Sequence, residues 1–167
     1  WMNGEPVTAH DFVYAWRRLV DPATASEYSF MMEVAAVKNA TPIIAGELPT
    51  DQLGVSAADG KTLVVELDRP VTYFLNLMTF PSFCPINEAY ATEKGSQYAL
   101  GADNLLCCGP FYMSAWDVGG NTYQLKKNPG YYDADKVKLD VINFQIITDP
   151  QQTMLAYENG DLDYVRL

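Results

Sequence analysis

The residues able to do chemistry are few and scattered. His10 is the single histidine of the 167 residues, and Asp11 follows it directly. Consecutive side chains on a helix diverge by about 100°, so Asp11 cannot orient the His10 imidazole as a catalytic base. His10 is read as a surface residue of a helix start. Neither a G-x-S-x-G elbow nor a phosphate-cradling Gly-rich loop occurs, and His, Cys and acidic residues show no zinc-ligand spacing. The acid clusters are Asp133-x-Asp135 with Asp140, and Asp161-x-Asp163. The first lacks the central Gly and the closing Glu of a calcium loop, and the second suits a helix stop and a polar turn before a strand. No catalytic residue, metal ligand or cofactor is expected, and the chain is not expected to be an enzyme. A hydrolase using Asp161 and Asp163 stays as a rival.

Cys84, Cys107 and Cys108 are odd in number and two are adjacent, which is not a disulfide framework. They are expected to be free, buried thiols. A vicinal Cys107-Cys108 bridge or a cross-link through Cys84 remains open in an oxidising compartment.

Aromatic residues are more informative, at 13% of the chain. Tyr, Phe and Trp offer apolar area with little loss of rotamer freedom, which suits a cleft for ligands of variable shape. Most belong to a core by position: Trp16 lies on the apolar stripe of a helix, and Tyr112, Trp116 and Tyr123 alternate in a hairpin. The charge of −10 is spread evenly, with 5 basic and 10 acidic residues in 1–87 and 6 and 11 in 88–167. No polybasic stripe exists, so nucleic acid is not an expected partner. No run of eighteen apolar residues and no signal-peptide pattern occurs.

The elements that must position these residues follow from local signals. Asn3-Gly4 forms a tight turn, Thr8 with Asp11 forms a capping box, and a helix begins at Ala9. Phe12, Val13, Trp16, Leu19 and Val20 recur at three- and four-residue spacing, with Arg17 and Arg18 on the other face, until Asp21-Pro22 ends the helix. Ser26 to Val37 is too densely apolar for a surface helix and is expected to pack between elements. Residues 36–46 suggest a short helix interrupted near Pro42. Residues 53–57 and 62–67 flank Ala58-Asp59-Gly60-Lys61 as a hairpin. A helix is expected over 71–80, a crossing strand or linker over 81–87 and a short helix over 88–95, with 96–106 irregular.

From Gly109 the pattern turns to strands. Residues 111–116 and 122–127 flank a Gly119-Gly120 turn, and alternation continues from Val137 to Ile146 with a slip at Val141-Ile142 that suggests a bulge. Asp149-Pro150 starts a helix that Gly160 ends, and Asp163-Tyr164-Val165 reads as a further strand. The abrupt start at Trp1 and the stop inside that strand suggest a piece of a longer protein.

The pattern Trp1-x-Asn3-Gly4-x-Pro6-Val7-Thr8-Ala9-x-Asp11-Phe12-Val13-Tyr14-x-Trp16 resembles the signature of the extracytoplasmic peptide-binding proteins of ABC importers, in particular the oligopeptide-binding family (bacterial solute-binding family 5). The resemblance continues through Asp21-Pro22-Ala23-Thr24-Ala25-Ser26-x-Tyr28, Leu53-Gly54-Val55, Pro70-Val71-x-Tyr73-Phe74, Pro81-Ser82, Gly109-Pro110-Phe111, Leu125-x-Lys127-Asn128 and Gly160-Asp161-Leu162-Asp163. It implies a mixed α/β fold of the periplasmic-binding-protein type II, with residues 1–87 most of a smaller lobe and 88–167 part of a larger one. It implies capture of an extended oligopeptide between lobes and delivery to a membrane permease. Location would be the periplasm, or the cell surface as a lipoprotein anchored by lipid outside this chain, and the state a monomer. By the same resemblance Tyr28 and Phe80 are candidate ligand-binding residues. Phe80 stands where some relatives carry His, and a core role for it remains open. A pheromone receptor or adhesin using the same lobes is the second reading, and dipeptides, nickel complexes or sugars are possible ligand classes.

Overall fold

Thr8 starts the first helix in extended conformation (φ −125°, ψ 166°), and the Asp11 carboxylate accepts the Thr8 N–H at 2.7 Å and its hydroxyl at 3.1 Å. Asp therefore serves where Glu or Gln commonly closes a capping box. The computed structural model describes residues 1–166. It comprises two compact units, one of Trp1 and Asn3–Gly95 and the other of Met2 and the chain from Ser96. The helix after Asn87 packs with the first unit.

In the first unit α1 (Ala9–Val20) buries Ala9, Ala15, Trp16 and Val20, and the chain leaves it at Asp21 in extended conformation just before Pro22. Around this stripe gather Met31 and Met32 of α2 (Met31–Val34), Ala40 and Ile43 of α3 (Ala40–Ile44), Leu53, and Val55 of β1 (Val55–Ala57). Pro42 sits in the first turn of α3 without interrupting it, since an N–H there has no helical partner to lose. β1 pairs antiparallel with β2 (Leu63–Val65), Val55 opposite Val65. Asp59 ties the turn by accepting from the N–H groups of Lys61 and Thr62 at 2.7 and 2.8 Å.

One expectation fails after Pro70, for a tertiary reason. The helix expected over 71–80 is only α4 (Phe74–Leu77), and the linker expected over 81–87 begins as a 3-10 turn, Pro81–Phe83. Phe83 is 2% exposed and meets Trp16 edge-on, ring centroids 5.4 Å apart at 78°, while the Trp16 indole N–H donates to the Phe83 carbonyl at 3.1 Å. A partner 67 residues away thus captures the segment. Asn87 then caps α5 (Glu88–Lys94), accepting the Tyr90 N–H at 2.8 Å.

The second unit centres on an antiparallel sheet in the order β3 (Phe111–Trp116), β4 (Thr122–Lys127), β5 (Val141–Gln145). The bulge lies at Ser114 of β3 and not at Val141-Ile142, where the alternation slips because the strand begins there. Trp116, Tyr123 and Phe144 stand opposite one another across the three strands, and the Tyr123 and Phe144 rings stack at 4.4 Å and 6°. On the other face Ser114 donates to Gln124 at 2.9 Å and Gln124 to Asn143 at 2.8 Å. α6 (Pro150–Glu158) is capped by Asp149 and followed by Gly160 at φ +80°. The strand expected at Asp163-Tyr164-Val165 does not form.

Candidate functional site

The loop after α1 is built to turn aromatic side chains outward. Asp21 caps a 3-10 turn, Pro22–Thr24, accepting the Ala23 N–H at 2.9 Å, and Ala25 (φ 50°, ψ 39°) then reverses the backbone in the left-handed region. The chain tightens again as the Ser29 N–H donates to the Ser26 carbonyl and the Met31 N–H to the Tyr28 carbonyl. Met31 and Met32 go into the core, and that anchor leaves Tyr28 50% and Phe30 47% exposed.

Phe80 reaches the same surface from a different element. It follows α4, its N–H donating to the Leu77 carbonyl at 2.9 Å, and it precedes the turn that Phe83 fixes against Trp16. It is partly buried and packs on the edge of the core. The Tyr28 and Phe80 rings meet at 5.6 Å and 49°, and Tyr28 stacks with Phe30 at 6.2 Å and 29°. The two residues singled out by resemblance, 52 positions apart, are therefore neighbours, and Phe30 extends them to a trio. Phe30 escaped the sequence reading because it stands in a run dense enough to look like packing. The signal that could have found it is its alternation with Tyr28 ahead of the Met31-Met32 anchor.

Such a surface offers ring faces, ring edges and one phenol hydroxyl, which suits contact with side chains or extended backbone. It contains no nucleophile, base or metal ligand. The other chemical candidates lie elsewhere. His10 is exposed at the start of α1. Asp133 pairs with Lys136 at 2.8 Å, and Asp161 donates its backbone N–H to the Ala156 carbonyl in the stop of α6. Among the described residues no group of three His, Cys, Asp or Glu could hold a metal ion. No disulfide joins the cysteines among the described residues, and they are not buried as expected: Cys84 is exposed, since Phe83 takes the inward position beside it, and Cys107 and Cys108 are half-buried. Burial pushes the Cys107 thiol above its ordinary pKa, a hydrogen bond with the Met113 backbone opposing in part. Among the described residues no helix is long and apolar enough to cross a membrane.

Known proteins match this architecture along the chain. The oligopeptide-binding protein OppA of Bacillus subtilis is 37% identical over 98% of this chain, which corresponds to 30% of that protein. OppA of Listeria monocytogenes bound to peptide is 44% identical, with a TM-score of 0.89 over 98% of this chain and 32% of that one. Haemophilus influenzae OppA in complex with RPPGFSPFR is 36% identical, with a TM-score of 0.93 over 98% and 31%. The chain thus spans about 30% of the length of the curated relatives it matches. A family model matches residues 1–167 from end to end, and the chain belongs to the bacterial extracellular solute-binding proteins, family 5, in their middle part.

Proposed function

We propose that this chain is part of the substrate-binding component of an ABC importer, one that captures extended oligopeptides between two lobes and delivers them to a membrane permease outside the cytoplasm. Residues 1–87 correspond to most of the smaller lobe and residues 88–167 to part of the larger. The observation that carries the reading is the contact of half-exposed Tyr28 with partly buried Phe80 at 5.6 Å, in a chain whose relatives are named as peptide-binding proteins. Tyr28 and Phe80 then receive ligand side chains. Phe80 contributes an apolar wall without a titratable group, so its contact is insensitive to pH where a His at that place would not be.

Main-chain hydrogen bonds give affinity without sequence choice in such clefts, and aromatic walls accept side chains of many kinds. Because capture needs both lobes, the 167 residues alone bind peptides weakly or not at all. Calorimetry with short peptides checks this, and micromolar affinity for the isolated chain overturns it. In the whole protein, Tyr28→Ala and Phe80→Ala each lower peptide affinity about tenfold, as removal of an aromatic contact does. Unchanged affinity in both variants rejects the assignment of these residues.

A further inference from the structure

Phe30 is fixed in place by the fold while its ring stays outside the core. Its carbonyl accepts the Glu33 and Val34 N–H groups, each at 3.0 Å, as α2 begins, and Met31 and Met32 anchor that turn in the core. The Phe30 side chain is left half-exposed and stacks on Tyr28, whereas Phe80, which tilts against Tyr28, also packs on the edge of the core. Tyr28 is the ring that touches both others, so the trio forms a row with Phe30 and Phe80 at its ends. A half-exposed ring on an anchored backbone gives up little freedom when a ligand covers it, and contiguous exposed rings are a mark of binding surfaces. Truncating such a ring costs binding more than folding.

The three side chains carry no charge, and the Tyr28 hydroxyl is their one hydrogen-bonding group. An aliphatic ligand side chain laid on the row gains apolar burial alone. An aromatic one gains in addition the edge-to-face or offset stacking that ring quadrupoles favour. A cationic one gains a cation–π contact but gives up water to reach it. We propose that Phe30 is a third ligand-contacting residue and that the row selects an aromatic side chain at the peptide position it faces. The proposal rests on the peptide-binding reading above and adds a preference to it: main-chain hydrogen bonds still hold peptides of many sequences, and the choice is confined to that one position.

The test is calorimetry of the whole protein with tetraalanine and with four variants of it, each carrying one phenylalanine. At one position phenylalanine binds about tenfold tighter than alanine and about threefold tighter than cyclohexylalanine, which has similar bulk and no π-system. Phe30→Ala cuts the preference over alanine to about threefold, and Phe30→Leu, which keeps apolar bulk, removes the preference over cyclohexylalanine. Thermal midpoints of both variants stay close to that of the parent. Survival of both preferences in both variants overturns the role of Phe30. Equal binding of all five peptides by the parent, or tighter binding of a matching arginine series, overturns the aromatic choice while leaving peptide binding intact. So does Phe30→Ala weakening tetraalanine as much as the favoured peptide. A parent that binds none of the peptides overturns the peptide-binding reading itself, and this proposal with it.

Discussion

The two units solve the problem of staying folded in different ways. Among the described residues every buried apolar one lies in the first, where Trp16, Val20, Met32, Val37 and Ile43 are almost completely enclosed. In the second, Asn128 is the single buried residue among those described, and Trp116, Val141, Phe144 and Leu155 keep more than a third of their surface exposed. The first unit is fixed by burial and the second by pairing: a three-stranded ladder, an aromatic row on one face and an amide row on the other. An enclosed core holds its rim still, and the Tyr28 and Phe80 rings are such a rim, each three residues before an anchor in the core, Met31 and Phe83. Candidate ligand residues therefore stand on the unit whose backbone has least freedom, which is what a preorganised contact needs.

The comparison is broken most forcefully at Trp16. Trp16→Ala removes the largest enclosed side chain, its edge contact with Phe83 and its hydrogen bond to the Phe83 carbonyl. A loss of about 3 to 5 kcal/mol is expected for such a truncation. Amide exchange followed by NMR should show protection lost throughout α1 and β1–β2 and kept in β3–β5. Equal loss in β3–β5 would mean that both units unfold in one transition and that burial and pairing do not stabilise them separately.

Asn128→Ala strikes the second unit at its one enclosed polar group. The Asn128 side chain donates to the Gly109 carbonyl at 2.9 Å and accepts the Gly130 N–H at 3.0 Å, tying the ends of the hairpin together. Leaving both groups unpaired costs about 2 to 3 kcal/mol. Here the exchange pattern should be the reverse, with protection falling in β3–β5 first. Denaturant melts of Asn128→Asp sharpen the point, since the carboxylate can still accept from Gly130 but sets a buried, charged oxygen against the Gly109 carbonyl, and a loss at least as large as for Ala is expected.

How far the sequence discloses this architecture differs between the same two kinds of force. Structure written by local chemistry is legible: the capping pair Thr8 and Asp11, the Asp59 turn, the Gly119-Gly120 hairpin and the Asp149 cap all form where residue type demands. Structure imposed by distant packing is not. α4 is short and the Pro81–Phe83 turn forms because Phe83 has a place against Trp16, and nothing in residues 71–87 announces that partner. α5 likewise packs with α1, a contact its own residues do not announce. At the candidate site Tyr28 and Phe80 were recognisable by their motifs, but their adjacency is a tertiary fact, and Phe30 joins them only once Met31 and Met32 are known to point inward.

Gly54 tests whether the first unit is held by its backbone seam as well as by its core. A Cβ at this position would lie 2.7 Å from the Lys38 Cβ and 2.8 Å from the Glu66 carbonyl oxygen. The crowding arises because Gly54 is held between two chain segments, its N–H donating to Lys38 O at 2.9 Å and its carbonyl accepting from Glu66 N–H at 2.8 Å. Gly54→Ala must push these segments apart, costing about 1 to 2 kcal/mol. Thermal melts should show it, while Gly46→Ala, at an open position with φ +75°, tests strain without crowding.

The smallest expected effect separates the units by pH. In the first, hydrogen bonds from the Lys61 N–H, then the Thr62 hydroxyl and N–H, hold the Asp59 carboxyl below the usual carboxylate range. A folded pKa lower than the unfolded one means that the unfolded chain binds the proton more readily, so this contribution is present at neutral pH and fades as pH falls through the carboxylate range. In the second unit burial raises the Cys107 thiol, so the folded chain keeps its proton longer; that contribution is present at neutral pH and fades as pH rises through the ordinary thiol range and beyond. Acid should therefore loosen the β1–β2 turn first and alkali the approach to β3. Both windows are readable as amide exchange corrected for intrinsic pH dependence, with Asp59→Asn abolishing the acid response and Cys107→Ser the alkaline one. Parallel responses in the two units at both ends of the range would show that the titrations act on the whole chain, and the distinction between a unit held by burial and one held by pairing would not extend to charge.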